Sequence, residues 1–351
     1  MSTIPGPKSW PIVGNALQLD RTPQGYYEQL LKWAKEYRSP GCFCIWFGST
    51  PFIVISKAEY VEEILSNQKN INKNDDYTLF HAWLGTGLLT SSEKKWRSRR
   101  RLLTPAFHYQ ILNDYMPIHQ KQSSILIPLL KEKAGQGEFD IAPYLYHYTL
   151  DSTCEAAMGV DVNAQFDSNT KYVSAVKSIT RIIIERWRCP WLWRDAIYNL
   201  TTAGKKHKDM CKTLHDFTDK VINDRIKQRE LDRSRNSRAC AGVMPIHSQR
   251  KRKAFLDILL DEYDKGNIPR EGVREEVDTF MFEGDDTMAS SLQWAVHMIG
   301  KHPDVQSKLQ IEVDKFYESV GDGVITADRL KELKYLECVI KETLRCIPSV
   351  N

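Results

Sequence analysis

No stretch of this chain approaches the run of about 18 apolar residues that a membrane-crossing helix needs. The first residues, Met1-Ser-Thr-Ile-Pro-Gly-Pro7, lack the charged segment and apolar core of a secretory signal. These absences predict a chain that is soluble or at most peripheral to a membrane. Charge of one sign is scarce as well. Lys and Arg exceed Asp and Glu by 49 to 45, a net of +4, too weak by itself to indicate a nucleic-acid partner. The eight cysteines (42, 44, 154, 189, 211, 240, 338 and 346) show neither zinc nor redox spacing. Such scatter fits reduced thiols in an intracellular protein. Internal repeats and heptads are absent too.

What is present is an ordinary globular composition, 42% hydrophobic and 27% charged. The 351 residues suffice for a large core, in one big domain or two. Pro5-Gly-Pro7 and Pro11 make a stiff, extended opening that cannot be helical. Helical spacing of Tyr27, Leu30, Leu31, Ala34 and Tyr37 predicts a helix over about 24–37. Strand-like runs at Cys42–Phe47 and Phe52–Ile55 flank a turn at Gly48-Ser-Thr-Pro51. Ser56-Lys-Ala-Glu59 has the form of a capping box, starting a helix over about 56–66. Two helices share residues 108–160, broken at Gly135-Gln-Gly137, and another long one covers 203–231. A polar stretch, 229–253, reads as a solvated linker loop. Its Arg250-Lys-Arg-Lys253 tetrad has no interleaved aromatic residues for base stacking, so nucleic acid is not expected. A long helix runs from Arg270 to about Gly300 and others follow at about 303–318, from Thr326, and at Leu333–Arg345. The fold class is mainly α with a small β region.

Three features carry chemistry. Val277–Trp294 is mostly apolar, yet holds Glu283, Gly284, Asp285, Asp286 and Thr287 in its interior. A helix-interior glycine costs about 1 kcal/mol relative to alanine, and buried carboxylates cost more unless partnered. Such violations of local rules mark functional sites. Three acids at 283, 285 and 286 lack an accompanying histidine or further acid nearby, so no divalent metal site is expected. Second, Trp96 and Arg100 sit four apart and share a helix face, while Lys94, Lys95, Arg97, Arg99 and Arg101 spread over the others. Such a pair suits an anion in a partly apolar setting; a solvated basic helix with one aromatic anchor is the plainer reading. Third, Glu342 and Arg345 share a face at a spacing of three, which on its own is an ordinary surface ion pair. Gly85-x-Gly87 lacks the third glycine and the βαβ setting of a dinucleotide site, which leaves a loop of the kind that lines binding sites. Trp187, Trp191 and Trp193 beside Pro190 make either a packing cluster or an aromatic patch for a membrane or a substrate channel.

In this order and at these separations the features resemble a cytochrome P450, specifically the family-4 fatty-acid hydroxylases. Those members carry a Pro-Gly-Pro opening, here Pro5–Pro7; a Trp-Arg-x-Arg-Arg helix followed by Leu-Thr-Pro-x-Phe-His, here Trp96–His108; and a central Phe-Met-Phe-Glu-Gly-x-Asp-Thr, here Phe280–Thr287. The resemblance covers nearly the whole chain and implies a single partial cytochrome P450 domain over 1–351. It implies a haem-thiolate monooxygenase that inserts one oxygen atom from O2 into a C–H bond of a fatty acid or similar lipid. Electrons would come from NADPH through a cytochrome P450 reductase, on the cytoplasmic face of the endoplasmic reticulum membrane. Trp96 and Arg100 would contact a propionate of haem b, and the central helix would cross its distal face. Gly284 would leave room for O2 and substrate, while Asp286 and Thr287 would relay protons. Glu283 stands where several members form an ester with a haem methyl. Glu342 and Arg345 would belong to a structural motif completed by a later arginine. Lys94, Lys95, Arg97 and Arg99 would form part of an electropositive docking face for the acidic reductase.

The sequence departs from the pattern in places. Asp285 and Met288 stand where histidine and threonine are usual, and Asp285 is expected to point away from the haem. The Phe-x-x-Gly-x-x-x-Cys-x-Gly loop that supplies the iron thiolate is not in this sequence. Cys346 directly follows Arg345 and does not match that motif. The resemblance therefore implies a chain truncated at its C-terminus and shortened at its N-terminus. The alternative is a non-catalytic fragment that acts, if at all, by binding a partner or lipid.

Overall fold

A computed structural model describes residues 4–20, 22–108, 113–166, 171–239, 254–321, 323 and 325–349. The chain is mainly helical with a two-stranded antiparallel sheet. Among the described residues the longer helices are α1 (Pro23–Glu36), α2 (Ala58–Ser66), α3 (Glu93–Leu103), α4 (Met116–Lys133), α5 (Ala142–Thr153), α6 (Lys171–Trp187), α7 (Thr202–Ala239), α8 (Phe255–Asp264), α9 (Arg270–Lys301), α10 (Pro303–Val320) and α11 (Lys334–Cys346). None is long and apolar enough to cross a membrane. Two compact units form: one gathers Met1–Ala82, Thr90–Lys94 and Ile179–Asp209, the other Trp83–Leu89, Lys95–Ser178 and Met210–Asn351.

In the first unit β1 (Cys42–Phe47) and β2 (Thr50–Ile55) pair with Phe47 opposite Thr50 and Cys42 opposite Ile55. The turn is tighter than the sequence predicts, because Gly48 takes φ +61° and lets β2 begin at Thr50. The expected capping box does not form. Helix α2 starts at Ala58 after an N-cap Lys57 that makes no side-chain cap. Ser56 is instead spent at the base of the hairpin, where its backbone N–H and hydroxyl both donate to the Gly41 carbonyl. Phe43, Ile45 and Phe47 pack on Trp33, with Trp187 and Trp193 against them. The tryptophan cluster thus divides. Trp187 and Trp193 pack inside, and the indole N–H of Trp193 donates to the Trp187 carbonyl at 2.9 Å. Trp191 stays 54% exposed.

The second unit is built on α9. Its Val273, Val277 and Met281 are fully buried, as are Leu256 and Leu259 of α8, Leu150 of α5 and Leu214 of α7. Helix α7 corrects the expected linker: residues 229–239 are helical and continue α7. The reason is a charge ladder. Arg225 grips Asp257 with two bonds of 2.9 and 2.6 Å, Arg229 reaches Asp261 at 2.6 Å, and Arg233 reaches Asp264 at 2.9 Å. Arginines four apart on α7 match the acidic face of α8, so a stretch that reads as solvated loop is a docked helix. The Arg250–Lys253 tetrad lies outside the described residues. On α10, Glu312 accepts from the backbone N–H groups of Tyr335 and Leu336 at 2.8 and 2.9 Å. A carboxylate there satisfies free donors in the first turn of α11 and favours its positive end.

Candidate functional site on the central helix

The Gly85–Leu88 loop is fastened to α9 by two adjacent carboxylates. Thr86 donates its N–H and its hydroxyl to Glu275 Oε1 at 2.9 and 3.0 Å, and the Leu88 N–H reaches Glu276 Oε2 at 3.0 Å. The glycines allow the approach. Gly85 takes φ +54°, and a Cβ on Gly87 would lie 2.7 Å from the Glu275 carbonyl oxygen. The same carboxylates dock α3: Lys95 Nζ donates to Glu275 Oε2 at 2.7 Å and to the Thr86 hydroxyl. Arg99 Nε lies 3.4 Å from Glu276 Oε1.

This corrects the expected docking face. Lys95 and Arg99 are committed to α9, with Arg99 buried, while Lys94 and Arg97 remain exposed. Because Lys95 and Arg99 fix the helix, Trp96 and Arg100 present the adjacent face, about 100° further round. Trp96 is half-buried. Arg100 is exposed, and among the described residues no carboxylate pairs with its guanidinium. An available fork of donors beside an indole suits a carboxylate held against an apolar surface.

Further along α9 the acids divide by face. Asp285 is fully buried and accepts the Thr149 hydroxyl of α5 at 2.7 Å; burial pushes it up to about 7. Asp278 accepts the Thr218 hydroxyl of α7 at 2.6 Å, and burial pushes it up to about 8. Burial likewise raises Glu276 to about 7, outweighing the Leu88 N–H and Arg99. A folded-state value above the unfolded one (about 4 for a carboxyl) means that the folded form holds the proton more tightly. The stability contributed is complete below about pH 4 and is lost as pH rises through 7 to 8. Asp278→Asn is therefore expected to raise the thermal midpoint at pH 8.5 by several degrees and flatten its decline above pH 6, followed by circular dichroism. An unchanged slope would contradict this assignment.

Asp286 and Thr287 are half-buried. Tyr146 of α5 donates its hydroxyl to Asp286 Oδ1 at 3.0 Å. Thr287 Oγ1 donates to the Glu283 carbonyl at 2.6 Å, one turn back, which leaves its oxygen lone pairs able to accept. The Glu283 carboxyl has no hydrogen-bond partner among the described residues, and burial, with the Asp286 charge second, raises its pKa. Gly284 has a role that the sequence did not show. A Cβ there would sit 2.8 Å from Thr153 Cγ2, so the missing side chain serves the packing of α9 on α5. Gly284→Ala should lower stability by about 1–3 kcal/mol, and less in a Thr153→Ala background. Equal losses in both backgrounds, in urea unfolding, would refute the clash. Glu342 and Arg345 pair within α11 through two bonds of 2.7 and 2.6 Å, both side chains exposed.

Sequence reasoning missed Glu275, Glu276, Tyr146, Thr149 and Thr153. The only readable signal was the pair of adjacent acids one turn before Thr279.

The cytochrome P450 family model matches residues 4–351. Cytochrome P450 4V2 of Mus musculus is 41% identical over 100% of this chain and 66% of its own length. The Homo sapiens cytochrome P450 4V2 is 41% identical over 98% of the chain and 65% of its own length. Cytochrome P450 4c3 of Drosophila melanogaster is 38% identical over 99% and 66%. The chain thus spans just under two thirds of the length of these curated relatives. With its helical fold, the Trp96–Arg100 face and the Glu283–Thr287 segment, the chain belongs to the cytochrome P450 family, alongside members of family 4.

Proposed function

We propose that this chain supplies the distal wall and one propionate anchor of a haem-thiolate monooxygenase. The enzyme inserts one oxygen atom of O2 into a C–H bond of a fatty acid or similar lipid, with electrons passed from NADPH by a reductase. The observation that carries the reading is the docking of α3 on α9. Glu275 and Glu276 of α9 dock the helix that bears Trp96 and Arg100, and the next turns of α9 itself bear Glu283, Asp286 and Thr287. Haem, when bound, supplies the oxidising power. The chain's residues hold it and manage protons. Arg100 neutralises a propionate and Trp96 covers it with apolar surface. The Thr287 hydroxyl, fixed on the Glu283 carbonyl, would accept a hydrogen bond through its lone pairs, and the Asp286 carboxyl would pass protons from solvent into the site. Glu283 is a free carboxyl available for an ester to a haem methyl.

Membrane contact has its own support in the first unit. Trp10, Ile12, Leu17 and Trp191 are exposed apolar residues. A Cβ added to Gly48 would lie 3.5 Å from the Ile12 carbonyl and 4.0 Å from Pro190, so the Pro-rich opening and the turn carrying Trp191 adjoin. Large apolar and tryptophan side chains grouped at a surface suit a bilayer interface, here the cytoplasmic face of the endoplasmic reticulum membrane.

The test is oxygenation under ¹⁸O2 by haem-loaded protein with reductase, NADPH and dodecanoate. The expected product is a hydroxylated acid carrying one ¹⁸O near the chain end. Haem uptake and reduction with no labelled product across a fatty-acid series would overturn the reading. Failure to take up haem would favour a chain that acts by binding alone.

A further inference from the structure

We propose that Tyr146 is a positioning residue for Asp286, an inference that rests on the monooxygenase reading for its consequence but not for its geometry. Neither residue is placed by its neighbours in sequence. Tyr146 lies on α5, 140 positions before Asp286, and its hydroxyl donates to Asp286 Oδ1 at 3.0 Å. That bond engages one carboxylate oxygen and leaves Oδ2 for the proton traffic of the site. The phenol is itself held. Lys177 of α6 sets its ammonium over the Tyr146 ring, 3.9 Å from the centroid, a cation–π contact that restrains the ring. The phenol pKa is raised by burial first and by the Asp286 charge next, so Tyr146 keeps its proton and stays a donor.

The two neighbouring contacts between the helices fix the rotation of α9. Thr149 donates to Asp285 at 2.7 Å and Thr153 fills the space over Gly284. Tyr146, Thr149 and Thr153 stand at i, i+3 and i+7, one face of α5, and meet Asp286, Asp285 and Gly284 in turn. Adjacent acids therefore receive opposite assignments. Asp285 is locked into the packing as a buried carboxyl, and Asp286 is half-buried and held by one oxygen. Without the Tyr146 hydroxyl, Asp286 keeps its carboxyl group but loses the bond that fixes its rotamer, and a proton shuttle that wanders by an ångström loses much of its effect.

The titratable groups that interact with this carboxylate are Tyr146 and Tyr172 from the packed helices and Glu283 and Asp285 on its own helix, while Lys177 lies over the Tyr146 ring and acts on Asp285. Tyr146→Phe removes one oxygen atom and keeps the ring under Lys177. Two experiments test the proposal. The first needs no turnover: in protein labelled with [γ-¹³C]aspartate, the Asp286 resonance, assigned through Asp286→Asn, should shift in Tyr146→Phe and not in Tyr144→Phe, a change elsewhere on α5 at a ring packed against Phe139. An unmoved resonance overturns the contact. The second uses haem-loaded protein with its reductase. Tyr146→Phe should lower kcat about tenfold with KM unchanged, alter the solvent deuterium isotope effect, and divert electrons to peroxide. A kcat, isotope effect and peroxide yield equal to those of the parent would overturn the positioning role while leaving the monooxygenase reading intact. A parent protein without turnover, but with the resonance shift present, would sink that reading and retain the contact.

Discussion

Replacing Glu276 by alanine is expected, at about pH 8 where this carboxyl is ionised, to lower the stability of the chain by about 3–5 kcal/mol, the cost of stranding one member of a buried charge pair. Glu276 is fully buried, and it accepts the Leu88 N–H at 3.0 Å with Arg99 Nε 3.4 Å away. The Arg99 side chain is only 10% exposed and cannot swing into water without leaving α9. Alanine therefore removes the counter-charge, the acceptor for the loop and the side-chain volume together. Glu275→Ala makes the comparison. Its partner Lys95 is 40% exposed and can find water, so the loss there should be about 1 kcal/mol. Urea unfolding of both variants separates the cases. Equal losses would show that the loop and α3 are not held through the deeper carboxylate.

The second large effect falls on chemistry. Asp286→Asn should reduce product formation about a hundredfold, the scale of losing a positioned proton donor, with haem uptake unchanged. Asp285→Asn, one residue earlier, should leave turnover within about threefold of the parent, since that carboxyl is turned into α5 on Thr149. Its effect should appear instead as a flatter fall in stability between about pH 4 and 7. Turnover assays with haem content measured on each sample decide the matter. A large loss in Asp285→Asn with a small one in Asp286→Asn would reverse the assignment of the two acids.

Much of the framework was legible because it rests on local rules. The mostly apolar run Val277–Trp294 marked α9, found over Arg270–Lys301. The paired runs around Gly48 marked the hairpin. What stayed hidden depends on partners far away in the chain. Arg229 and Arg233 look like a polar stretch until the α8 acids meet them, and only then is α7 helical to Ala239. Ser56 fits a capping box by spacing, but the Gly41 carbonyl competes for it and wins. Lys95 and Glu275 are 180 positions apart, and no periodicity announces that they touch. Gly284 was noticed as a violation of helix propensity, yet its neighbour Thr153 could not be inferred from spacing. The candidate segments were visible as departures from local rules, while the residues that orient them became visible only in three dimensions.

The central claim is that the face of α3 next to its docked side receives an anionic group of haem. A haem titration followed by Soret absorbance tests it most directly, comparing the parent with Arg100→Ala and Arg97→Ala. Both arginines are exposed on α3 and carry the same charge, so a general electrostatic effect would weaken both alike. The account predicts at least about a tenfold weaker affinity for Arg100→Ala, the loss of one charge-assisted pair, and parental affinity for Arg97→Ala. Parental affinity in Arg100→Ala, or the same loss in both variants, would contradict it.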